Sequence, residues 1–175
     1  ILLGTILGGT PASRLFSDLR EKQKLAYQVN TRFYTYDNSD VISLYIKTTT
    51  DDKSQNTDNF KNLEKSIEGF KHHINKLQTE LVSEEELASA KLTYKNKILN
   101  YNESSASKND FILSGSETPY GIGLNNKALE LVDSITAEDI QNAAKYIFST
   151  KPALSIVATQ NTIKNNKNYL DNLII

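Results

Sequence analysis

Apolar residues crowd the first eight positions and stop at Gly8-Gly9, which predicts a helix closed by glycine. Pro11 suits the first turn of a second helix. Its apolar face carries Leu15 and Leu19 with Phe16 beside them, while Arg14, Asp18, Glu21 and Lys22 lie elsewhere on it. From position 25 the period changes to two. Leu25, Tyr27, Val29, Thr31 and Phe33 alternate with Ala26, Gln28, Asn30, Arg32 and Tyr34. Beyond the turn cluster Asp37-Asn38-Ser39-Asp40, the residues Ile42, Leu44 and Ile46 alternate with Ser43, Tyr45 and Lys47. Two such runs across a short polar turn predict a β-hairpin, ended by the polar stretch 48–58.

The strongest periodic signal follows. Phe60, Leu63, Ile67, Phe70, Ile74, Leu77 and Leu81 recur at alternating steps of three and four, one stripe of a long helix. A coiled coil would need this pattern for longer, so a helix laid across a sheet is expected. Ser83 and Glu86 form a capping box opening a helix with Leu87, Ala90, Tyr94 and Ile98 on one face. A helical segment is expected over 108–114, a loop at Pro119-Tyr120-Gly121, and a short helix carrying Leu124, Ala128, Leu131 and Val132. Thr136 and Asp139 repeat the capping signature, with Ile140, Ala143, Ala144 and Ile147 facing inward. After Pro152, Ala153 to Ala158 has the composition of a buried strand, and within the Asn- and Lys-rich stretch beyond Thr159 the run Lys164-Asn165-Asn166-Lys167 reads as a solvated tail. Strands at both ends of a helical block imply an α+β domain, a largely antiparallel sheet with helices packed on one face. No internal repeat or domain boundary interrupts residues 1–175. The chain has no Met and opens mid-pattern, so it is expected to be a piece of a longer polypeptide whose upstream part adds a strand to the sheet.

Composition narrows the function. Hydrophobic residues make up 38% and charged residues 23% of 175, enough for one packed core. A net charge of -1 gives no electrostatic grip on nucleic acid or on an anionic membrane. No apolar run approaches the roughly 20 residues of a membrane helix. Without Cys there is no disulfide and no thiolate site. The two histidines, His72 and His73, are adjacent, and neighbours on a helix diverge by about 100°, so they cannot share one zinc as an i, i+4 pair does. They are expected on the polar side of the long helix. Glu84-Glu85-Glu86 is explained by the dipole and cap of its helix. Neither a triad nor a phosphate loop can be assembled.

One constellation remains, the block from Ser13 to Tyr27. Arg20 falls at a helix end and Tyr27 at a strand start, and a bent connection can bring both to one rim. Arginine offers a fork of donors for a peptide carbonyl or carboxylate, and a tyrosine hydroxyl can stabilise an oxyanion. Spacing alone favours the plainer reading, a surface ion pair for Arg20 and a half-buried strand position for Tyr27.

Leu7-Gly8-Gly9, Ser13-Arg14-Leu15-Phe16, Leu19-Arg20-Glu21-Lys22 and Leu25-Ala26-Tyr27 together resemble the C-terminal-type domain of the pitrilysin/insulinase metallopeptidases, the inverzincins. Residues 84–91, Pro119-Tyr120 and Ile135 to Ile140 follow the same order, so the resemblance covers about residues 1–159. It departs at Lys24, where the family often has Gly, and at Gly8 to Ser13, which replaces a Gly-Gly-x-Met-Ser start. The resemblance implies a LuxS/mitochondrial-processing-peptidase-like metallohydrolase fold. It further implies a zinc-free, substrate-binding half of a zinc endopeptidase that is inactive alone. Its partners would be a zinc-carrying N-terminal-type domain or subunit and a peptide substrate. Arg20 and Tyr27 would be the catalytic pair, and this chain would hold no metal or cofactor. The alternatives are a non-catalytic homologue acting as a scaffold or assembly subunit, and a helical interaction module built on residues 58–101.

Overall fold

The computed structural model describes residues 1–36, 39–49, 51–52, 57–58, 61–101, 103–116 and 124–173. The expected loop at Pro119-Tyr120-Gly121 lies outside them. The first helix begins as α1 (Leu2–Gly4) and continues as a wider π-wound turn, Thr5–Gly9. Its length of apolar sequence is explained by where it sits: Leu2, Leu3, Ile6 and Leu7 are all buried. They lie between the inner face of the hairpin on one side and helices α3 (Glu84–Asn100) and α6 (Ala137–Ile147) on the other. Gly8 permits the approach to the hairpin, since a Cβ there would stand 2.2 Å from Thr31 Oγ1.

A second π-wound helix, Phe16–Lys22, leads into the hairpin β1 (Ala26–Tyr36) and β2 (Ser39–Thr48), which pair antiparallel. Thr31 and Phe33 face inward with Ile42, Leu44 and Ile46, all partly buried, while Val29 is buried. The polar stretch after it contains a second, minimal hairpin, β3 (Asp51–Asp52) with β4 (Thr57–Asp58), which composition did not suggest.

Helix α2 (Lys61–Thr79) is where the periodicity placed it, but its buried stripe is rotated. Ser66, Ile67, Gly69, His73 and Leu77 are buried, whereas Leu63, Phe70 and Ile74 are only partly so and Leu81 is exposed. Its main neighbour is α6, not the sheet. Both capping boxes form. Ser83 and Glu86 open α3, and Thr136 and Asp139 open α6, each side chain bonding the other residue's backbone N–H. Between these helices lie α4 (Ser105–Ser116), longer than expected, and α5 (Leu124–Leu131), which tightens into a 3₁₀ turn at Val132–Ser134.

Residues 153–158, expected as a buried strand, form none. Among the described residues nothing pairs with them, and Leu154 and Val157 are exposed, the latter at 98%. Apolar, β-branched composition makes a strand only where a neighbouring edge accepts it. The tail is also more ordered than its composition suggested, with α7 (Gln160–Asn165) capped by Thr159, a buried Thr162, and α8 (Lys167–Asp171). The architecture is thus α+β: an antiparallel hairpin with helices packed on its inner face.

Candidate functional site

The turn from Arg20 to Tyr27 is fixed by its backbone. Gln23 N–H donates to the Asp18 carbonyl at 2.9 Å, an i+5 bond that ends the helix in π geometry. Leu25 N–H donates to the Leu19 carbonyl at 2.8 Å, so the helix end and the strand start lie side by side. Lys24 turns the corner with φ 53°, the left-handed region that costs a non-glycine residue energy. This is the position at which the resemblance expects glycine. Leu19 and Leu25 are buried beneath the turn, which leaves Arg20 and Tyr27, each within two residues of that hydrogen-bonded backbone pair, free of the core.

Arg20 is partly exposed. Its guanidinium lies 4.7 Å from the centroid of the Phe16 ring and reaches Glu21 at 3.7 Å. Tyr27 is 76% exposed, not half-buried as strict alternation requires. The cause is a bulge. Ala26 pairs with Thr48 and Gln28 with Lys47, so Tyr27 is the extra residue and swings to the outer face. Lys47 Nζ stands 5.5 Å over its ring.

That outer face is polar and aromatic. Gln28, Asn30, Arg32, Tyr34, Ser43 and Tyr45 line a shallow cleft of about 300 Å³ that continues from Tyr27 along the hairpin. Its charged members, Arg32 and Lys47, are both cationic.

A second polar group lies where the sequence pattern does not put it. His73 is 8% exposed, not on the polar side of its helix. Its Nε2 lies 2.7 Å from Asp18 Oδ2, and Gln23 Nε2 donates to Asp18 Oδ1 at 3.1 Å. Burial lowers the His73 pKa, and the opposing pull of Asp18 does not fully offset it. For Asp18, burial pushes upward, but hydrogen bonds from Gln23 and His73 prevail and hold the carboxyl below its ordinary value. Just before the helix that carries Asp18 and Arg20, Arg14 grips Glu86 with two bonds of 2.7 and 2.8 Å, tying the start of that helix to the cap of α3 and lowering the Glu86 pKa. The exposed His72 meets His73 edge-to-face, with ring centroids 5.1 Å apart. With Nε2 of His73 committed to Asp18, this pair does not suit zinc. No group of three or more His, Cys, Asp or Glu that could hold a metal occurs among the described residues.

Residues 1–94, which contain the whole of this turn and face, match the family model of the peptidase M16 inactive domain. The chain belongs to that family. It is a C-terminal-type domain of the pitrilysin kind, as the 13–27 block implied. An uncharacterized zinc protease of Rickettsia felis is 34% identical over 157 residues, covering 89% of this chain and 35% of that protein. One of Bacillus subtilis is 24% identical over 164 residues, 90% and 36% respectively. The chain therefore spans about a third of the length of these relatives. Among solved structures, the inactive peptidase domain of a Bordetella parapertussis protein superimposes with a TM-score of 0.65 at 17% identity, over 91% of this chain and 83% of that one. A protease from Helicobacter pylori gives 0.60 at 20% identity, over 84% and 33%. These likenesses establish the fold.

Proposed function

We propose that this M16 domain is the zinc-free, substrate-binding half of a zinc endopeptidase, and that Arg20 and Tyr27 act on the substrate. The observation that carries the reading is the turn itself. A strained corner at Lys24 and a bulge at Tyr27 join the helix end that carries Arg20 to the strand start from which Tyr27 turns outward, above a buried floor, and this supports a shared role. A simple strand would have turned Tyr27 inward. A zinc held by an opposing domain would supply an activated water, in keeping with relatives named as zinc proteases; this chain binds and places charge. Tyr27 donates its hydroxyl to the oxyanion that forms as the carbonyl is attacked, and Arg20 holds substrate backbone through its guanidinium. The outer face of the hairpin, with its amides and tyrosine rings, receives the rest of an extended peptide.

The test is reconstitution with the zinc-carrying half and a quenched peptide. The chain alone is expected to hydrolyse nothing. Tyr27→Phe should lower kcat by about 10²-fold, the usual loss of one oxyanion donor. Arg20→Ala should raise KM and lower kcat together. Turnover unchanged in both variants rejects the reading and leaves the scaffold alternative.

A further inference from the structure

We propose that His73 and Asp18 form a positioning latch that holds the Arg20–Tyr27 turn in one conformation. The inference rests on the function proposed above and extends it to a long helix that carries no residue of the reaction.

Four observations meet at this place. The buried stripe of α2 sets the small and polar residues Ser66, Gly69 and His73 beside Ile67 and Leu77, while Leu63, Phe70 and Ile74 stay only partly buried. Gly69 is a notch: a Cβ there would stand 2.4 Å from Leu19 Cδ2, so α2 lies directly against the helix that carries Arg20. One turn further along α2, His73 reaches Asp18 at 2.7 Å. Asp18 in turn accepts from Gln23 on its other oxygen and through its backbone carbonyl. A single carboxylate thus ties α2 to both sides of Arg20, two residues before it and three after.

Packing alone does not require this. Leucine at 73 would fill comparable space without the cost of desolvating an imidazole and a carboxylate. What a hydrogen bond adds is direction. Apolar side chains let a short helix rotate or slide by changing rotamers, whereas a 2.7 Å contact on one carboxylate oxygen fixes a single rotation. The Phe16–Lys22 helix is only seven residues long, and its last turn leads into the strained residue Lys24. It therefore needs an external anchor to present Arg20 in one place. The other charged or titratable groups near the pair are Arg14, His72 and Lys22.

The experiment uses the full polypeptide with its zinc-bearing half. 3-Fluorotyrosine at position 27 is read by ¹⁹F NMR, alongside turnover and melting temperature. His73→Gln keeps a donor near the place of Nε2, and His73→Leu removes it. The expected result is a shifted or broadened resonance in His73→Leu, with kcat reduced about tenfold or more and KM changed far less. His73→Gln should restore most of both. Should His73→Leu fail to fold, Asp18→Asn weakens the same bond and the same resonance decides. A resonance unmoved in a folded latch variant overturns the latch, whatever the turnover. Unchanged turnover in both Tyr27→Phe and Arg20→Ala is the separate result that overturns the catalytic reading.

Discussion

At the scale of single residues, the site is assembled from positions that go against local preference. Lys24 is the clearest, since its φ of 53° suits glycine. Relief of left-handed strain, about 1–2 kcal/mol, exceeds the entropy glycine adds to the unfolded chain, about 0.5–1 kcal/mol. Its ion pair with Glu21, 3.8 Å and exposed, offsets little. Lys24→Gly should therefore raise stability by roughly 0.5–1 kcal/mol in denaturant unfolding, and a loss would place the strain elsewhere. Gly69→Ala should do the reverse, costing about 1–3 kcal/mol by forcing Leu19 aside. His73 gives the molecule a pH dependence with a definite sign. Its folded pKa lies below the ordinary 6.5, so the unfolded chain binds the extra proton first. Stability is full above that value and declines as pH falls through 6.5 toward the folded pKa. The contribution of Asp18 follows the carboxylate rule, present above 3.8 and lost as pH falls through its own depressed value. Urea melts between pH 7 and pH 5 should show the histidine part, and His73→Gln should flatten the slope.

At the scale of elements, much was legible and the failures share a cause. Capping boxes at Ser83 and Thr136, the hairpin and the long α2 all follow from neighbours within four residues, where spacing decides geometry. The bulge at Tyr27 does not, because it is set by the partner strand and by Thr48 Oγ1 donating to the Leu25 carbonyl at 2.6 Å. The rotation of α2 was hidden for a similar reason. A hydropathy stripe counts large residues, but close helix contact selects Gly69 and Ser66, and His73 is buried by a carboxylate 55 positions away. Arg20 and Tyr27 were singled out from sequence only with help from the family resemblance; spacing gave neither the exposure of Tyr27 nor the corner at Lys24. Glu86 shows how a local signal can carry a long-range duty. It closes the capping box of α3 and also holds Arg14, whose side chain is only 15% exposed. Ser83→Ala should cost about 1 kcal/mol, the usual loss of a cap. Glu86→Ala should cost about 2–3 kcal/mol, because it strands a mostly buried guanidinium as well. Equal losses in thermal or chemical unfolding would mean that the Arg14 pair contributes nothing.

At the scale of the whole molecule, the segment 153–158 decides between two pictures of the domain. Composition makes it a core strand, and a buried Val or Leu there would contribute about 1.5–3 kcal/mol each. Among the described residues it is unpaired, with Val157 98% and Leu154 47% exposed, while the core closes without it around α1, the hairpin, α3 and α6. Exposed side chains have little folding energy to lose. Val157→Ser and Leu154→Ser should then shift the stability of this chain by no more than about 0.5 kcal/mol. Backbone amides of 153–158 should exchange with solvent near the rate of an open chain, in contrast to those of Val29 or Leu44 in the hairpin. Slow exchange in the segment, or a loss near the buried-strand figure, would falsify the unpaired arrangement and return these residues to a sheet. Repeating the exchange with the proposed zinc-carrying half present separates a segment open in every state from one covered only in that assembly. Protection that appears only in the assembly would make it part of the contact between the halves, leaving the hairpin face and Tyr27 for the role proposed above.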